Sequence, residues 1–61
     1  MTLAEAEADD RFEKFKFMSM LDLGMYIAKA TSFLADHPDD AEVQEFHDAA
    51  VLINKSRIGI K

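Results

Sequence analysis

Between Met20 and Ala35, apolar residues recur at steps of three and four in two neighbouring sets, one more than a surface helix with a single buried stripe needs. Met20, Leu23, Ile27, Ala30 and Leu34 form the first set. Leu21, Gly24, Ala28, Thr31 and Ala35 form the second, and after Leu21 every member is small. The pattern predicts a central helix over about 20–35 with two faces to cover. Upstream, Thr2 with Glu5 is a capping-box pattern, and the acids Glu5, Glu7, Asp9 and Asp10 precede Arg11, Lys14 and Lys16 in the order that complements a helix macrodipole. A helix over about 3–17 follows, with Ala4, Ala8, Phe12 and Phe15 on one side. Downstream, Asp36-His37-Pro38-Asp39-Asp40 predicts a tight turn, because Pro38 lacks a backbone donor and disfavours helix at His37. Asp39 or Asp40 then caps a last helix over about 40–57, with Val43, Phe46, Ala50 and Ile53 on its core face and Gly59 as a stop.

The joint between the first two segments has two readings, since residues 10–20 contain neither Gly nor Pro. In one, Ser19 caps a new helix with Asp22 in its first turn, and Phe12 and Phe15 fold back over the central helix. In the other, Ser19 is an interior residue and a single helix runs from Leu3 to Ala35, on the order of 50 Å long. Periodicity alone does not choose between them. Both give an all-α class: a small helical hairpin or three-helix unit, one domain over 1–61.

Chain length adds a constraint. A chain of 61 residues buries only about 60% of the surface its unfolded form exposes, so it is marginal alone. There is no cysteine for a disulfide, and two histidines, His37 and His47, do not make a structural zinc site. With nine alanines set aside, 21 large apolar side chains must be placed in three short segments. Homodimerisation into a bundle is therefore expected, with Met20, Leu23, Gly24, Ile27, Ala28 and Leu34 as the self-association seam. Gly24 strengthens that expectation, because glycine inside a helix costs about 1 kcal/mol relative to alanine.

Twelve acidic against seven basic residues give a net charge of −5, which argues against binding phosphate backbones or anionic membranes by charge alone. The N-terminus is acidic where a signal peptide is basic, and no run approaches the roughly 18 apolar residues of a membrane span. A cytoplasmic location is expected.

Candidate chemistry is sparse. His47 sits at the edge of the last helix's apolar face, where a general base or proton switch is conceivable and a boundary residue covering the core is the expectation. His37 is expected in solvent. Asp9-Asp10 and Asp39-Asp40 could pair as catalytic or calcium-binding carboxylates, yet each stands where a helix start favours negative charge. Ser19, Ser32, Ser56, Thr2, Thr31 and Tyr26 are the available hydroxyls, none within a nucleophile motif. No enzymatic activity, cofactor, metal or small-molecule substrate is expected. Pro38-Asp39-Asp40-Ala41-Glu42-Val43 resembles the turn between tetratricopeptide repeats over six residues. No second copy occurs at the repeat spacing, and the likeness reads as shared turn chemistry.

Function is then expected to lie in association. Asp22 and Lys29, the charged residues inside the central helix, are flanked by Met25, Tyr26 and Phe33 in the aromatic and methionine mixture of binding hot spots. These five residues are the expected partner-binding set. The reading is a non-enzymatic interaction module that pairs with itself and binds another protein, modulating or inhibiting it. A chain of this size without catalytic motifs has the form of phage or plasmid accessory regulators. The alternatives are a small RNA- or DNA-binding helical dimer, using Arg11, Lys14 and Lys16 or Lys55, Arg57 and Lys61, and an acidic mimic of nucleic acid.

Overall fold

Ser19 adopts extended backbone, φ −66° and ψ 162°, and its side chain accepts the Asp22 N–H at 3.1 Å, so a new helix begins at Met20. The chain is a computed structural model that describes residues 1–59, and Lys61 lies outside the described residues. Among them are four α-helices, one 3-10 turn and no strand: α1 (Leu3–Ala8), the turn Asp10–Phe12, α2 (Glu13–Phe17), α3 (Met20–Asp36) and α4 (Ala41–Ile58). The continuous 3–35 helix is thus replaced by a chain that folds back at Met18 and Ser19.

The single helix expected over 3–17 is also divided. Thr2 and Glu5 form the full capping box that opens α1. Asp9 then turns extended (φ −84°, ψ 121°), and its carboxylate accepts the Arg11 backbone N–H at 2.9 Å, an alternative to helix continuation. The same carboxylate holds the Arg11 guanidinium, which reaches on to Glu45 of α4 at 3.1 Å. Periodicity misses this break because the helix-ending residue is an aspartate read as dipole complement.

Folding back brings the aromatic side chains together. Phe12, Phe15 and Leu23 are fully buried, with Ala6, Ala49, Ala50 and Ile53 filling the space around them. Phe12 meets Phe46 edge-on at 5.1 Å between ring centroids, and Phe15 lies 5.0 Å from Tyr26. The Lys14 ammonium stands between 5.3 and 5.8 Å from the rings of Phe46, Phe15 and Tyr26, closing the cluster on its solvent side.

The C-terminus of α2 lacks a glycine cap. The Arg57 guanidinium of α4 replaces it, donating to the carbonyl of Phe15 at 2.8 Å and to those of Lys16 and Met18. Its charge and planar fork suit the negative end of a helix.

α3 and α4 form an antiparallel hairpin across the turn at Pro38, opened on the α4 side by Asp40, which accepts the Val43 N–H at 3.2 Å. Gly59, at φ 75°, closes α4 in the left-handed conformation that a residue without Cβ adopts freely. Leu3 lies beside Leu52 and Ser56, while Arg11 reaches Glu45, so α1 runs antiparallel to α4. Residues 1–18 thereby cover one side of the hairpin.

Candidate interaction surfaces

The two apolar sets of α3 have different surroundings. In the first, Leu23 and Ala30 are buried in the chain's own core, Ile27 and Leu34 are half-buried, and Met20 is exposed. In the second, all five members are exposed, Leu21 at 73%. A Cβ built on Gly24 meets nothing within 4 Å. The six residues of the expected self-association seam therefore divide: Leu23 is spent inside the monomer, whereas Met20, Gly24 and Ala28 face outward, with Ile27 and Leu34 at the boundary.

Four of the five residues expected to bind a partner come together. Asp22, Met25, Tyr26 and Lys29 line, with Met18, a shallow groove of about 310 Å³ where the α2–α3 joint meets the outer side of α3. The spacing explains this, since residues 22, 25, 26 and 29 lie at steps of three and four along one helix side. Tyr26 is anchored by Phe15 and Lys14 and presents only part of its ring, and burial raises its phenol pKa. Met25 stands 51% exposed over the groove. Phe33 does not line it. One turn further on, its ring packs against His37 at 4.5 Å, and it remains 42% exposed.

Two exposed residues outside that set extend the apolar surface. Leu21 stands one turn before Met25, and Phe17, at the end of α2, is 81% exposed. Leu21 was legible as the one large member of the small-residue set. Phe17 carries no such signal, because its exposure follows from the chain direction after Phe15, set by the break at Ser19.

Three of the bases are engaged within the chain. Arg11 is held by Asp9 and Glu45, Lys14 stands over the aromatic rings, and Arg57 holds the carbonyls of α2. The Arg11 bonds favour the charged form of Asp9, holding its pKa below the usual carboxylate value. The Thr2 backbone N–H, then its hydroxyl, do the same for Glu5.

Thr31, His47 and Asp48 stand in the order of a hydroxyl–imidazole–carboxylate relay: Thr31 Oγ1 lies 3.1 Å from His47 Nε2, and His47 Nδ1 3.3 Å from Asp48 Oδ1. The Thr31 hydroxyl, however, donates to the Ile27 carbonyl at 2.8 Å, and the neighbouring backbone N–H groups are spent inside α3. The arrangement ties α3 to α4 and offers no converging donors for an oxyanion. Among the described residues no cluster of three His, Cys, Asp or Glu could hold a metal, and no helix is long and apolar enough to cross a membrane.

These features define a small all-α protein whose distinctive parts are outward-facing helix surfaces. Comparison with protein families, with curated proteins and with solved structures finds no match to the chain.

Proposed function

We propose that this chain is a non-enzymatic interaction module that binds another protein along the outer side of α3 and modulates it. The observation that carries the reading is the groove of Met18, Asp22, Met25, Tyr26 and Lys29. Two flexible methionines give a surface that adapts to a helical or extended partner segment. Tyr26, rigidly backed by Phe15, supplies an anchor, and Asp22 and Lys29 set orientation. The groove is too shallow and open to enclose a small substrate, which favours a macromolecular ligand.

The test compares the wild-type chain with Met25→Glu as bait. Met25 is exposed, so the substitution leaves the core intact and puts a charge into the groove. A protein bound by the wild type and lost with Met25→Glu, at unchanged helicity, supports the reading. Binding that survives Met25→Glu but is lost on substituting residues of α1 or α4 contradicts it.

A further inference from the structure

α3 and α4 have a second side, turned away from α2 and the 3-10 turn, with Met1 and Asp48 bordering its α4 edge beside His47 and Val51. From α3 it presents Gly24, Ala28, Thr31 and Ala35, all exposed, with Met20 at the end. From α4 it presents Val43, His47, Val51, Asn54 and Ile58 at steps of four, four, three and four, half-buried except for Ile58 at 49%. None of these ten is Asp, Glu, Lys or Arg, in a chain where 31% of residues are. An uncharged strip of this length along both helices of a hairpin, with Asp48 at its edge, is a surface suited to a partner.

Its two columns are unequal, one of small side chains and the other of larger ones. Thr31 stands level with His47, and since the helices are antiparallel with equal rise, Gly24 stands level with Asn54 and Met20 with Ile58. A two-fold axis parallel to the helices, lying on this face, would set each α3 antiparallel on the α4 of a second copy. The small column of each chain then receives the large column of the other, same level to same level, with Ala28 opposite the second copy's Val51. The face is complementary to itself, as an isologous interface must be.

We infer that a second copy of this chain occupies the face, and that two hairpins form a four-helix bundle with α1, the 3-10 turn and α2 on its outside. The molecule measures 31 × 22 × 21 Å, so its whole broadest side projects on the order of 700 Å², an upper bound for this face that puts the pairing at the small end of stable interfaces, against roughly 800 Å² per partner for a standard one. Close helix approach also accounts for Gly24, which has no neighbour within the chain to explain it. The inference is independent of the groove, which lies on another side of α3.

Sedimentation of the full chain across a wide concentration series tests the pairing. A shift from monomer to dimer mass is expected, and a monomer throughout overturns the inference. Ala28→Glu, at an exposed position, should be monomeric with unchanged helicity, while Met25→Glu in the groove should remain dimeric; the reverse pattern overturns it. The arrangement is read by cysteine pairing, since the native chain has no cysteine. Mixing Ala28→Cys with Val51→Cys should yield the mixed disulfide dimer under mild oxidation. Preferential pairing of Ala28→Cys with itself would overturn the axis proposed.

Discussion

The two sides of the α3–α4 hairpin solve the same problem with different materials. On the covered side, Phe12 and Phe15 pack on Phe46, Tyr26 and Leu23, and they reach there because the chain breaks at Asp9 and again at Ser19. On the open side, small residues of α3 lie beside branched and polar residues of α4, with His47 as the one ring and Asp48 at the edge. The contrast teaches that large side chains suit a partner delivered by the same chain at a fixed angle. A shallow column of small residues instead allows a whole helix to approach closely.

The largest effect is expected where the covered side is opened. Phe15→Ala removes a fully buried ring in contact with Phe12, Tyr26 and Phe46, a loss of about 3–5 kcal/mol. A core this small rarely supplies more than about 3–5 kcal/mol in all, so the variant should lack its helical circular dichroism at room temperature. A cooperative melt close to that of the wild type would show that residues 1–18 do not hold the hairpin together.

Next comes the joint that delivers the aromatics. Arg57→Met keeps much of the side chain's length but leaves the carbonyls of Phe15, Lys16 and Met18 without their donor, a cost of about 1–3 kcal/mol. Amide exchange should quicken in α2 and at the Asp22 and Leu23 amides more than in the middle of α4. Uniform acceleration would mean that the arginine acts only through its charge at the end of α4.

On the open side, Gly24→Leu separates monomer from assembly. A Cβ there meets nothing within the chain, and replacing a mid-helix glycine favours the helix, so the monomer should be at least as stable, while overpacking should weaken the paired form by about 1–3 kcal/mol. Melting of concentrated protein should fall and that of dilute protein should not. An equal fall at both concentrations would place the strain inside the monomer.

The smallest effect concerns the acid side of the stability profile. Asp9 and Glu5 both have depressed pKa values in the folded chain, Asp9 through Arg11 and Glu5 through Thr2. Their contribution is full above the ordinary carboxylate value near 4 and is lost as pH falls through the lower folded values. Both are surface groups, so the change should be slight, confined to α1 and the 3-10 turn, and reduced in Asp9→Asn. Loss of α3 and α4 in the same pH interval would assign the titration elsewhere.

How far these features could be read in advance follows from where their information lies. The all-α class rests on periodicity that local residues carry. The same is true of the capping box at Thr2 and Glu5, the Asp40 cap and the Gly59 stop, each of which needs only a few neighbours. The fate of the Ser19 joint could not be settled that way, because a serine favours an N-cap yet is tolerated inside a helix, and residues 10–20 contain no Gly or Pro. The decision rests on Phe15 meeting Tyr26 and on Arg57 holding the end of α2, contacts between residues 11 and 42 positions apart. Arg57 was legible only as a charge at the end of its own helix. For the groove, helical spacing groups Asp22, Met25, Tyr26 and Lys29, but Met18 joins them through the joint, and Phe33, one turn further on, packs against His37 instead.

The most direct test of the contrast between the two sides is an isotope-filtered nuclear Overhauser experiment on a mixture of labelled and unlabelled chains. It separates contacts within a chain from contacts between chains. Intermolecular signals are expected at the methyl groups of Ala28 and Val51, with those of the Phe12 and Phe15 rings to Phe46 strictly intramolecular. Intermolecular signals from Phe15 to Phe46, or none at Ala28 and Val51, would contradict a chain that covers one side of its hairpin itself and leaves the other to a second copy.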